Sequence, residues 1–174
     1  MAFDIRVPEL IFKIRKEIDE APGFTWHDLT SREIFENKRV ALFSLPGAFT
    51  PTCSSTHLPG FEQEYNKLKE QGIDEVYCLS VNDSFVMNSW FNSLEIKNVK
   101  PLPDGNADFT RRLGFLVDKS NLGFGPRSWR YSMIVNNYVV EAMFVEPGLR
   151  DNADNDPFEV SDVYTMLDYL KGED

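Results

Sequence analysis

The stretch Val40-Ala41-Leu42-Phe43-Ser44-Leu45-Pro46-Gly47-Ala48-Phe49-Thr50-Pro51-Thr52-Cys53-Ser54-Ser55 decides how this chain is read. Its first six residues are apolar on both alternating faces, the pattern of a strand buried inside a sheet. Pro46-Gly47 ends that strand, and a helical pattern resumes just after Cys53. A thiol is thereby set in the first turn of a helix, where unpaired backbone N–H groups and the helix dipole favour an anion. A cysteine in such a setting is favoured as the thiolate, the nucleophilic form. The bland alternative is an inert buried cysteine, since free cysteine is among the most buried residue types. Its position between a strand end and a helix start argues for the nucleophile.

Outward from this centre, the chain alternates strands and helices. Val7 to Arg15 reads as an edge strand or hairpin, and Thr30-Ser31-Arg32-Glu33 has the form of a capping box opening a short helix over 31–36. Leu58, Phe61, Tyr65 and Leu68 recur at helical spacing, which predicts one helix from Ser54 to Gln71 with Gly72 as its stop. Glu75 to Asn82 reads as a second interior strand, and Asp83-Ser84 starts a helix through Trp90 and Phe91. A short strand follows at Val99 to Leu102, then a turn at Pro103-Asp104-Gly105-Asn106 and a helix near 107–113. Trp129 to Val135, a turn at Asn136-Asn137, and Tyr138 to Val145 read as a hairpin, and Ser161 to Leu170 as a closing helix. This order implies an α/β fold with a mixed central sheet and helices on both faces, residues 1–174 forming a single domain. The acidic run Asp151 to Asp156 lacks the central glycine and oxygen spacing of a calcium loop and reads as a solvated surface loop.

Composition narrows the function. A net charge of −10 argues against a nucleic-acid binder and against an anionic-membrane binder. No stretch is long enough to cross a membrane, and Met1-Ala2-Phe3-Asp4-Ile5-Arg6 has no basic region followed by an apolar run, so the expected location is cytoplasmic. Cys53 and Cys78 are the two cysteines, His27 and His57 the two histidines, and none of them stands at metal-ligand spacing. Redox or nucleophilic use of one thiol is what remains.

The residues around Cys53 carry a resemblance. Pro46-x-x-x-Thr50-x-x-Cys53 is similar to the peroxidatic motif of the peroxiredoxins, and the longer run Pro46 to Phe61 resembles their type-five branch, which includes the plant type II enzymes. Leu79-Ser80-Val81-Asn82-Asp83, Pro103-Asp104-Gly105 and Arg130-Tyr131-Ser132-Met133 follow in the family's order, so the resemblance covers Thr25 to Leu170. It implies a thioredoxin-like fold and reduction of hydrogen peroxide and organic hydroperoxides through a Cys53 sulfenic acid. By the same resemblance Arg130 supplies the cation, Thr50 holds the peroxide oxygen, and Pro46 shields the sulfur. Gly47, Phe124 and His57 complete the substrate side, Phe124 as an apolar wall and His57 in a supporting role. Arg127 competes with Arg130, but only Arg130 precedes Tyr-Ser-Met as the motif requires. The bare alternatives are an exposed strand arginine for Arg130 and ordinary core or dimer packing for Phe124.

Two further readings stand beside this one. A thioredoxin-like redox sensor needs only the thiolate, and a Cys–His hydrolase would use His57, one helical turn from Cys53. Some type-five relatives resolve the sulfenic acid with a second cysteine after the hairpin, and this chain has none after Cys78. Cys78 lies inside an apolar strand and reads as structural, with a resolving role as the alternative. The expected cycle is therefore one-cysteine. The resemblance extends to bacterial proteins that fuse this domain to a glutaredoxin, so glutathione and a separate glutaredoxin are the expected reductants, with thioredoxin the runner-up. It also implies a homodimer meeting around the active-site loop, and no bound cofactor or metal.

Overall fold

Strands β3 (Arg39–Ser44) and β4 (Glu75–Ser80) are built from residues buried on both faces, as their unbroken apolar runs require. They pair in parallel, with Phe43 opposite Cys78, and β4 pairs in parallel with β5 (Lys100–Pro103). On the other side of β3 the antiparallel hairpin of β8 (Tyr131–Asn136) and β9 (Val139–Val145) completes the order β5-β4-β3-β8-β9. The structure, a computed structural model, describes residues 4–17 and 23–172. Met1 to Phe3, part of the segment read for a leader, lie outside the described residues.

Alternation along β3 splits the core in two. Ala41 and Phe43 face a layer formed by Leu58, Phe61, Leu68, Met87, Trp90, Val163 and Met166. These come from α2 (Leu58–Gln63), α3 (Tyr65–Glu70), α4 (Ser84–Ser93) and α6 (Val163–Leu170). Val40 and Leu42 face Ile34 and Phe35 of α1 (Ser31–Phe35) and Phe109 of α5 (Asp108–Leu113). The mixed sheet with helices on both faces is thus as expected, and the fold is thioredoxin-like. Among the described residues no helix is long and apolar enough to cross a membrane.

Local chemistry explains where elements begin. The capping box is formed, with Thr30 accepting from the Glu33 N–H and Glu33 reaching back to Thr30. Asp83 caps α4 and Asp162 caps α6, so α6 starts two residues later than its pattern suggested.

Other expectations are corrected. The single helix over 54–71 is interrupted: Cys53–His57 form a π-helical turn, and Glu64, at φ −98° and ψ 13°, separates α2 from α3. The β8–β9 turn is Asn137-Tyr138, both at positive φ, one residue later than read; the type I′ backbone such a two-residue loop uses needs that conformation at both positions. β1 (Ile11–Glu17) pairs antiparallel with β2 (Phe24–Thr30), a strand the pattern did not reveal because β2 buries little of itself. β6 (Leu116–Asp118) and β7 (Pro126–Ser128) form a second unforeseen pair, each too short to show a period.

Candidate active site

β3 ends at Ser44 and delivers the chain through Pro46 and Gly47, both buried, into the helix that carries Cys53. The turn is held by Thr50, whose hydroxyl donates to the Gly47 carbonyl at 2.7 Å while its own carbonyl accepts the Ser54 N–H at 3.0 Å. Thr50 Oγ1 therefore has its hydrogen engaged and its lone pairs left to accept. Cys53 sits at the start of the π-helical turn, which closes with the Leu58 N–H on the Cys53 carbonyl. Cys53 and His57 are both buried. π-helical turns occur mostly as single-turn insertions in α-helices, frequently at functional sites.

Arg130, just before β8, reaches the sulfur from the sheet. Its side chain is 1% exposed, and Nη2 donates to Cys53 Sγ at 3.2 Å. Nη1 donates to His57 Nδ1 at 2.8 Å. His57 Nε2 lies 3.0 Å from the Ser161 carbonyl, which can only accept, so Nε2 carries the hydrogen and Nδ1 is the acceptor. Burial, with Arg130 adding to it, pushes the His57 pKa well below its usual 6.5 and keeps the ring neutral. Phe43, Phe61 and Phe158 surround the ring.

The guanidinium's side edge is taken by Asp156, whose Oδ1 accepts from Nε at 3.1 Å and Oδ2 from Nη2 at 2.7 Å. Burial opposes the charge on Arg130, but Cys53 and Asp156 outweigh it and raise its pKa. The acidic run is therefore corrected at its last residue: Asp156 is an ion-pair partner, not a freely solvated carboxylate. A buried arginine needs a carboxylate, and that requirement is the signal by which Asp156 could have been sought. Glu146 and Ser161, which hold the segment behind it, gave no sequence signal.

Arg127, the rejected competitor, has a different place. Nη1 donates to the Pro46 carbonyl at 3.1 Å, Nε donates to the Phe124 carbonyl at 3.2 Å, and the guanidinium lies over the Phe124 ring at 5.3 Å. A Cβ on Gly47 would come 2.5 Å from Arg127 Nη1, so a glycine is what allows this approach. The structure thus brings Arg130 into direct contact with both Cys53 and His57. It sets Thr50, Pro46 and Gly47 in the loop before Cys53, with Phe124 tied to that loop through Arg127. His57 touches Arg130 and Ser161 from the buried side.

Cys78 lies in the middle of β4, fully buried in the same apolar layer as Cys53. Burial first, and the nearby Cys53 second, push its thiol well above the ordinary range.

The Redoxin family matches residues 19–167 of the chain. A peroxiredoxin of Synechocystis sp. is 56% identical over 170 residues, covering 96% of this chain and 90% of that protein. The chain belongs to the peroxiredoxins, in their type-five branch. A hybrid peroxiredoxin of Haemophilus influenzae is 51% identical over 95% of this chain, which spans 64% of that longer protein. Among solved structures, the Plasmodium falciparum antioxidant protein, a 1-Cys peroxiredoxin, superimposes with a TM-score of 0.91 at 38% identity, over 97% of this chain and 99% of that one. As a peroxiredoxin the chain is a thiol peroxidase.

Proposed function

We propose that this peroxiredoxin reduces hydrogen peroxide and alkyl hydroperoxides in a one-cysteine cycle at Cys53, with glutathione and a separate glutaredoxin as reductants. The observation that carries this reading is the 3.2 Å contact from Arg130 Nη2 to Cys53 Sγ inside a water-excluded site. That contact sets a full positive charge and a hydrogen-bond donor against the sulfur that attacks. The thiolate attacks one peroxide oxygen; the S–O bond forms as the O–O bond breaks, and the leaving oxygen departs as water or alcohol after taking a proton. Negative charge grows on that oxygen, and Arg130 is the donor held beside it. Thr50 Oγ1, with its hydrogen on Gly47, accepts from the peroxide O–H and aligns the substrate. Pro46 and the Arg127–Phe124 pair wall the approach.

The sulfenic acid then condenses with glutathione, releasing water and leaving a mixed disulfide that glutaredoxin reduces. Burial of Cys78 in mid-strand supports an external thiol as the resolver, and similarity to a 1-Cys peroxiredoxin agrees with it. The second reading, a Cys53–Cys78 disulfide reduced by thioredoxin, draws on both thiols lying in one apolar layer. A homodimer around the active-site loop is supported by Phe49, exposed and held at φ +65°, and by exposed Leu122 and Leu149.

Intact mass of the reduced protein after one equivalent of peroxide, with and without glutathione, tests the cycle. A glutathione adduct mapped to Cys53 supports it, and an internal disulfide replaces it with the second reading. Sedimentation at micromolar concentration tests the dimer, which a monomer would exclude.

A further inference from the structure

Arg130 is held by a strap as well as by the active-site helix. Asp156 takes its side edge through Nε and Nη2, the two-bond match that a guanidinium offers a carboxylate. Two residues on, Phe158 places its ring under the same group, with Arg130 Cζ over the ring at 5.6 Å from its centroid. Pro157 between them has a fixed φ and restricts the backbone of Asp156 before it. The strap is tied down in turn: buried Glu146 accepts from the N–H groups of Glu159, Val160 and Ser161 and from the Ser161 hydroxyl. The Asp156 carboxylate is 38% exposed where Arg130 is 1% exposed, so it forms the outward cover of the guanidinium.

A guanidinium has five N–H donors. Two go to Asp156, one to His57 and one to Cys53 Sγ, which leaves one hydrogen on Nη1. We propose that Asp156 is a positioning residue of the peroxide reaction. By engaging two donors on one edge it fixes the rotation of the guanidinium, keeps Nη2 on the sulfur, and leaves the last Nη1 hydrogen for the substrate. It also fills the edge at which any other carboxylate would dock. This inference rests on the reading of Cys53 and Arg130 given above.

The test is single-turnover oxidation of Cys53 by hydrogen peroxide, quenched with an alkylating reagent and read by intact mass. Wild type, Asp156→Ala and Asp156→Asn are compared, each with excess sodium formate or with sodium chloride at equal ionic strength. Asp156→Ala should slow oxidation about tenfold, since small displacements of a positioned group carry costs of that order or more. Formate should restore most of the rate by occupying the vacated edge, chloride should not, and neither should speed the wild type. A merely structural role would not be rescued by a small carboxylate. Asp156→Ala at the wild-type rate, or a loss that formate leaves unchanged, overturns the proposal. If Asp156→Ala fails to fold, Asp156→Asn decides: oxidation slowed several-fold supports the role, and the wild-type rate overturns it. A wild type that peroxide does not oxidise at Cys53 would instead sink the peroxidase reading itself.

Discussion

His57 Nδ1 lies 2.8 Å from Arg130 Nη1, a contact that only the neutral, Nε2-protonated tautomer can accept. Protonation would place two cations against each other in a buried site, and burial, reinforced by Arg130, has already lowered the His57 pKa well below 6.5. In the unfolded chain the ring takes up a proton near its ordinary value, so below that pH the unfolded state binds more protons than the folded one. The His57 contribution to stability is therefore intact above 6.5 and falls as pH drops from 6.5 towards the depressed folded value. Urea midpoints measured across that window should fall more steeply for wild type than for His57→Asn, which does not titrate. Equal slopes would remove His57 from the account.

Arg130→Lys keeps the charge but loses the planar fork that meets Cys53, His57 and Asp156 at once. Oxidation of Cys53 by peroxide should slow about a hundredfold, the usual scale for losing a charge-stabilising donor. Alkylation of Cys53 by iodoacetamide, which needs the thiolate but not a donor for a departing oxygen, should slow far less. Equal losses in the two reactions would mean that Arg130 acts on the thiolate alone.

Cys78 should be silent in the folded protein. Its thiol is held in mid-strand and pushed well above the ordinary range, whereas Cys53 stands at the start of a helical turn against Arg130, so iodoacetamide should label Cys53 first and Cys78 only after denaturation. Cys78→Ala should keep most peroxidase turnover with glutathione and glutaredoxin. Complete loss in a folded Cys78→Ala protein would transfer the resolving step to Cys78.

The strand–turn–helix frame around Cys53 was legible because both of its halves are extreme: an apolar run buried on both faces and a Pro-Gly stop. Arg130 was reachable through the motif that follows it. Asp156 was hidden because one carboxylate in an acidic run looks like its neighbours, and only the packing shows which of them meets the buried arginine. The π-helical turn escaped for another reason: Leu58, Phe61, Tyr65 and Leu68 keep helical spacing across it, and one widened turn leaves no mark on that period. Strand β2 buries too little of itself to alternate visibly.

Glu146 shows how far from the sulfur the site extends. It follows β9, is 1% exposed, and joins Arg130 to the strap: its N–H donates to the Arg130 carbonyl, and its carboxylate accepts from residues 159–161. Ser161, held this way, presents the carbonyl that fixes the His57 tautomer. Glu146→Gln puts an amide N–H₂ against N–H donors and leaves at least one of them unsatisfied, at a cost of about 1–3 kcal/mol. In a chain of this length each kcal/mol lowers the melting temperature by roughly 2–4 °C. Cys53 oxidation should slow as well, because the groups that aim Arg130 are loosened together. Calorimetry and single-turnover oxidation of the same preparation check both effects. A lowered melting temperature with an unchanged rate would confine Glu146 to the fold, and both falling would tie the strap to the chemistry.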